Sequence, residues 1–152
     1  MSIWHSPPDI EFFQRIHENT AVAQLGIEFT EAGDDFLVAR MPHDERTRQP
    51  YGLIHGGANV LLAETVGSAA ASQVADRNRF RCVGLEINAN HLRAVRSGWV
   101  RAVARPLHLG RTTQVWDIRI FDDQARLSCV CRFTVAVVPA DVIERPSAIS
   151  RD

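Results

Sequence analysis

The chain has no lysine; all 17 of its basic residues are arginine. It has only three cysteines, and an odd count argues against a disulfide framework and for reduced thiols in the core of a cytoplasmic protein. Cys129 and Cys131 stand two apart on one expected strand, too poorly placed to bridge each other. No cysteine or histidine cluster has the spacing of a zinc site, and nothing in the sequence calls for a cofactor. No run of about 18 apolar residues occurs anywhere. The opening Met-Ser-Ile-Trp-His-Ser-Pro-Pro lacks a basic start followed by a long apolar stretch, so neither export nor membrane insertion is expected.

At 152 residues and 45% hydrophobic, the chain suits one compact domain with a continuous core. Residues 1–138 read as that domain, and 139–152, where patterning stops, as a tail. The net charge of −1 hides an asymmetry: residues 1–76 carry 4 arginines against 11 acids, and residues 77–111 carry 8 arginines against the single Glu86. The middle of the chain is therefore either an anion-binding surface or a set of solvated strands in which arginine replaces lysine. Nucleic acid is the poorest fit, because few aromatic residues accompany the arginines.

Ser6-Pro7-Pro8-Asp9 reads as a helix start with Ser6 as N-cap, and the helix is expected to run to about Glu18. Alternating runs around Ile27–Thr30 and Phe36–Met41 flank Ala32-Gly33-Asp34-Asp35, the composition of a hairpin turn. From Gly57 to Ala75 no proline intervenes, good helix formers dominate, and apolar residues point in almost every direction, which predicts a buried helix. Four β-type runs follow, at 81–92, 99–106, 113–121 and 126–138. Gln114, Trp116, Ile118 and Ile120 form one face of the third, and Leu127, Cys129, Cys131, Phe133, Val135 and Val137 one face of the fourth. The layout is α+β, a long central helix wrapped by one curved antiparallel sheet of five to six strands. One sheet leaves part of such a helix uncovered, so a second copy of the chain is expected to complete it.

Glu64 is the only charge in that helix, and at 100° per residue it shares a narrow stripe with Thr65, Ser68 and Ser72. A lone carboxylate among apolar residues is paired, here with an arginine from a wrapping strand, or it is put to use. Upstream, Gly56 and Gly57 let a ligand approach the backbone where the first helical amides lack intrahelical acceptors. Such amides suit developing negative charge. Burial of Glu64 would raise its basicity. Each residue also has a structural reading: His55 as a helix cap, Gln49 as a turn residue before Pro50, Ser68 as a small packing residue.

Three segments, residues 49–68, 83–91 (Val-Gly-Leu-Glu-Ile-Asn-Ala-Asn-His) and 106–110 (Pro-Leu-His-Leu-Gly), together resemble the hotdog-fold thioesterases. Among these the similarity points to bacterial 1,4-dihydroxy-2-naphthoyl-CoA hydrolases and the related proofreading thioesterase of enterobactin synthesis. The resemblance covers about Gly26 to Val138. It implies hydrolysis of acyl-CoA thioesters, with aromatic acyl groups favoured, and a homodimer or dimer of dimers with shared active sites. It implies Glu64 as general base or nucleophile, the Gly56 amide polarising the carbonyl, Gln49 and His55 orienting the thioester, and Ser68 as a hydroxyl one turn from the carboxylate. Gly84 falls in the substrate-binding segment. For coenzyme A it implies His91, Leu92 and Arg93 at a strand end, and His108, Leu109, Gly110, Arg111, Thr112 and Thr113 at a turn, with Gly110 freeing an amide for phosphate. Tyr51, Phe80 or Trp99 would line the acyl pocket. A hotdog hydratase or dehydratase, or a non-catalytic acyl-CoA binding module, is the alternative. The first would need a proline-flanked histidine motif that is missing, and the second usually accompanies a DNA-binding module.

Overall fold

The computed structural model describes residues 1–143. In chain order the elements are α1 (Ile10–Ile16), α2 (Ala21–Gln24), β1 (Glu28–Ala32), β2 (Leu37–Pro42), α3 (Gly56–Val74), β3 (Phe80–His91), β4 (Trp99–Leu109), β5 (Thr113–Asp122) and β6 (Leu127–Pro139), with a 3-10 turn at Ala140–Val142. The strands form one six-stranded sheet in the order β1-β2-β4-β5-β6-β3, antiparallel throughout. This is the expected helix wrapped by a sheet.

Period-two patterning decides which way the sheet faces. Gln114, Trp116, Ile118 and Ile120 of β5 and Cys129, Cys131, Phe133 and Val135 of β6 are buried on one side, and α3 lies across that side. The helix sits close because Gly67 has no side chain: a Cβ there would lie 2.7 Å from Phe133 Cδ1 and 2.9 Å from Ile118 Cδ1. Its C-terminal turn is tied down at the carbonyl of Ala71, which accepts from Cys82 Sγ at 3.3 Å and from Gln114 Nε2 at 3.4 Å. Trp116 Nε1 in turn donates to Gln114 Oε1 at 3.0 Å, so this buried polar chain is satisfied.

Several local expectations are corrected. The cap of α1 is Asp9, whose side chain accepts the Phe12 amide; the two prolines precede the helix instead of opening it, and it ends at Ile16, not near Glu18. The short α2, capped by Thr20, was not anticipated, since four residues carry too little period to register. The central helix begins at Gly56, one residue earlier than expected. β4 continues three residues past Pro106 because the register shifts between Pro106 and His108, and such a bulge tolerates a residue with no N–H. Within the segment read as a tail, Ala140 N–H donates to Arg79 O at 2.9 Å; residues 144–152 lie outside the described residues. As expected of a helix under one sheet, α3 is not covered all round by its own chain. Leu62, Ala63, Val66, Ala70 and Ala71 are buried, whereas Leu61, Glu64, Thr65, Ser68 and Ser72 are only half-buried.

Replacing Gly67 by Ala forces α3 off Phe133 and Ile118; the expected cost is about 1–3 kcal/mol, read as a lower urea midpoint with an unchanged slope. Burial pushes the thiol of Cys82 up to about 11. It stays protonated at neutral pH, so at pH 8 iodoacetamide should label Cys82 at least about 100-fold more slowly than glutathione, with labelling rising as pH approaches that value.

Candidate active site

The N-terminal end of α3 is built by its approach loop. Ile54 N–H donates to Val95 O at 2.9 Å and His55 N–H to Thr47 O at 2.7 Å, fixing the chain where the helix starts. His55 is the N-cap: its Nδ1 accepts the Gly57 amide at 2.8 Å. The amides of Ala58 and Asn59 both donate to His55 O. The amide of Gly56 is left with no acceptor among the described residues. Beside it, Gln49 accepts the amides of Tyr51 and Leu53 through Oε1, which turns its Nε2 away as an uncommitted donor. Gln49, Gly56, Asn59, His91, Leu92 and Arg93 border one cleft of about 330 Å³. The ring of His91 lies over Gly56, where a Cβ would come within 2.9 Å of its Nε2.

Glu64 lies two turns further along. A Cβ on Gly84 would lie 2.9 Å from Glu64 Oε1 and 3.0 Å from Phe133 Cε2, so the carboxylate reaches the sheet only because that position is glycine. The β3 register shifts between Gly84 and Glu86, a bulge of the kind that re-aims a strand beside a site. No arginine pairs with Glu64 among the described residues; the structural rival, a salt bridge to a wrapping strand, is absent there. The carboxylate instead borders a cleft of about 280 Å³ with His17, Leu61, Thr65 and Ser68. His17 and Ser68 also wall a second, apolar cavity of about 260 Å³ floored by Phe12, Phe13, Ile16 and Phe80.

Not everything expected to meet does so within one chain. Glu64 and Gly56 are eight residues apart on one helix, about 12 Å at 1.5 Å per residue, and they face different clefts. The two segments expected to hold coenzyme A are also separated. Thr113 is level with Ala136 of β6, which pairs with Val83 of β3, whereas His91 pairs with Cys129. Along β3 that is about 26 Å. Gly110 does not free its amide: the N–H donates to Thr113 O at 2.9 Å, and Thr112 O accepts from Val137 N–H. Of the central arginines, Arg101 pairs with Glu31 and Arg105 with Asp35, answering the acids of the first half of the chain. Arg93 and Arg111 have no ion-pair partner among the described residues. Phe80 lines the apolar cavity, whereas Tyr51 is exposed, and Trp99 lies under the Arg40 guanidinium at 4.0 Å, away from both clefts.

The residues that sequence reasoning missed come from α1 and its C-cap. Phe12, Phe13, Ile16 and His17 close the apolar cavity, and nothing local marks that short helix as a wall. His17 Nδ1 sits 2.7 Å from Phe13 O; a carbonyl only accepts, so Nδ1 carries the proton and Nε2 is bare in the neutral ring. Asn59 was also missed. Its Oδ1 is buried with no partner beside the Gly56 cleft.

Residues 51–129 match the family model described as the thioesterase superfamily. The 1,4-dihydroxy-2-naphthoyl-CoA hydrolase of Escherichia coli (strain K12) is 48% identical over 136 residues, 90% of this chain and 99% of that one. Among solved structures, a mutant of the thioesterase PA1618 of Pseudomonas aeruginosa is 52% identical, with a TM-score of 0.90 over 91% of this chain and 99% of that chain. The thioesterase HI1161 of Haemophilus influenzae is 46% identical, with a TM-score of 0.88 over 91% of this chain and 96% of that chain. Sheet order, central helix and these similarities agree, and the chain belongs to the hotdog-fold thioesterase superfamily as a thioester hydrolase.

Proposed function

We propose that the chain hydrolyses aromatic acyl-CoA thioesters in the cytoplasm, at sites shared between two copies of itself. The observation that carries this reading is the pair of groups on α3 left unsatisfied among the described residues: an amide at Gly56 with no acceptor and a carboxylate at Glu64 with no cation, each opening onto a cleft. A donor for the carbonyl oxygen and an oxygen base are what thioester hydrolysis needs.

A second copy reconciles the separation of those two groups. β3 is an edge strand of 12 residues, largely exposed beyond Val83, and a long bare edge is a template for another strand. α3 runs antiparallel to β3, with Gly56 beside His91 and Ala71 beside Cys82. Pairing two β3 edges antiparallel about a two-fold axis carries the Gly56 end of one copy toward the Glu64 end of the other. The same operation brings Arg93 of one copy toward the partner's 110–113 turn, reuniting the two segments assigned to coenzyme A. The half-buried face of α3 is covered in the same step.

In the shared site, Glu64 of one copy takes a proton from water that attacks the carbonyl carbon, or attacks that carbon itself. The Gly56 amide of the other copy, with Gln49 Nε2 beside it, donates to the oxygen as charge builds. Collapse of the tetrahedral intermediate breaks the carbon–sulfur bond and releases coenzyme A as thiolate; where Glu64 is the nucleophile, water then adds to the resulting acyl-glutamyl anhydride, frees the acid and restores the carboxylate. His55 holds the glycine turn in place through its cap, and Ser68 lies one turn from the carboxylate on the acyl side. The apolar cavity beyond Ser68, walled by three phenylalanines, suits an aromatic acyl group.

Glu64→Gln should leave a folded oligomer whose kcat falls about 10²–10⁴-fold, the range for losing a general base; full turnover removes Glu64 from the mechanism. If sites are shared, mixing Glu64→Gln with Gln49→Ala and allowing subunits to exchange should restore about a quarter of wild-type activity, since half the dimers then hold one intact site of two. Arg93→Ala with Arg111→Ala should raise KM for acyl-CoA about 10-fold while sparing an acyl-pantetheine of the same acyl group, and equal losses on both substrates reject the phosphate role.

A further inference from the structure

His17 is held more firmly than the C-cap of a short helix needs to be. Its carbonyl accepts from Thr20 Oγ1 at 2.6 Å and from the Thr20 amide at 3.3 Å. Its ring stacks on Phe29 of β1, with centroids 5.3 Å apart and planes inclined by 28°, and its Nδ1 donates to Phe13 O at 2.7 Å. These contacts account for the backbone, one ring face and one ring nitrogen. Nε2 meets no partner among the described residues and is not one of their sealed polar atoms. It is a fixed acceptor that water can reach.

The place of that nitrogen decides what it can do. His17 shares the cleft of about 280 Å³ with Leu61, Glu64, Thr65 and Ser68. With Ser68 it also borders the phenylalanine-lined cavity, so it lies where the two spaces meet. At about 30 Å³ per water, the cleft has room for a reacting water and several more. The Glu64 carboxylate and Nε2 of the neutral ring only accept, whereas the hydroxyls of Thr65 and Ser68 both donate and accept. A water that gives one O–H to the carboxylate and the other to Nε2 has both hydrogens engaged and a lone pair left for a carbonyl carbon. Held by the carboxylate alone, the same water turns about that one bond and spends most orientations facing away from the carbon.

We infer that His17 is a positioning residue that aligns the attacking water through Nε2, from an element outside both the central helix and its glycine entry. This rests on the hydrolase reading above and deepens it by naming what holds the second hydrogen of the nucleophile. The step is the one in which Glu64 acts as base. The water oxygen bonds to the carbonyl carbon, the carbonyl electron pair moves onto oxygen beside the Gly56 amide, and the released proton goes to Glu64. His17 accepts a hydrogen bond throughout and gains no proton. A rigid mount suits this task, because an acceptor that swings cannot fix a water.

One nitrogen of His17 is structural and the other open, and two variants separate them. Asparagine sets its amide near the place of Nδ1, keeping the Phe13 contact and emptying the Nε2 position; glutamine brings an acceptor oxygen to the Nε2 position and gives up the Phe13 contact. With benzoyl-CoA as substrate at about pH 8, where imidazole is neutral, His17→Asn should lower kcat about 5- to 10-fold, the worth of one neutral hydrogen bond. Its KM should stay within about 2-fold, since the water is no part of the bound thioester. His17→Gln should keep kcat within about 2-fold while its urea midpoint falls. His17→Phe, which keeps the stack on Phe29 and carries no nitrogen, should match the asparagine variant and replaces it if that variant does not fold. An active asparagine variant beside an impaired glutamine variant marks the histidine as purely structural and overturns the inference. A rise in KM with kcat unchanged also overturns it, by assigning Nε2 to the acyl group. Both results leave the hydrolase reading standing. A wild type that hydrolyses neither benzoyl-CoA nor any other acyl-CoA overturns that reading and the inference with it.

Discussion

The close seating of α3 on the sheet is the contact on which the rest of the molecule depends. Gly67 lets the helix settle onto Phe133 and Ile118, and Gly84 lets the Glu64 carboxylate reach the same layer from the other side of Phe133. Lifting the helix by the width of one methyl group would move the carboxylate away from β3 and open the cavity beneath α1. Close-packed interiors do not absorb such shifts gradually, so a stability device and a site-building device share the same atoms. The polar chain from Trp116 through Gln114 to Ala71 holds the far end of that helix and keeps its rotation fixed. Rotation matters because the stripe of Glu64, Ser68 and Ser72 is narrow.

Electrostatics divides the surface in two. Acids of β1 and the following turn meet arginines of β2 and β4, as in Arg40 with Glu28 and Arg101 with Glu31. These pairs are exposed and contribute little to stability, but they remove most of the apparent charge asymmetry from that flank. Arg93 at one end of β3 and Arg111 at the turn level with its other end are among the arginines with no ion-pair partner among the described residues. In the proposed dimer these two converge.

The site makes little use of strong chemistry. Neither a perturbed nucleophilic thiol nor a carboxylate dyad lies in it; Cys82, the thiol at the cavity wall, is held protonated by burial. In the proposed reaction the working parts are an amide spared by its own helix cap and a carboxylate spared by its neighbours. The cap is central, for His55 takes the amide of Gly57 and the His55 carbonyl takes those of Ala58 and Asn59. Only the first helical N–H is left, aimed along the axis, where the helix dipole adds to its pull on negative charge.

Periodicity and residue type were enough to determine the long central helix, the late strands and their inward faces, because each of these is a local pattern repeated over ten or more residues. The isolation of Glu64 and the glycine pair before the helix were legible for the same reason: a charge in an apolar run and a glycine at a helix start are visible one residue at a time. Short elements were not. Asp9 instead of Ser6 caps α1, and α2 has a single turn. Tertiary structure alone decided that α1 walls a cavity, that His17 and Asn59 border clefts, that the Gly110 amide is spent on its own turn, and that Arg93 and Arg111 stand level with opposite ends of β3. Those facts depend on strand order and register, which pair residues far apart in sequence through hydrogen bonds that every backbone can make, and so leave no mark on the residues themselves.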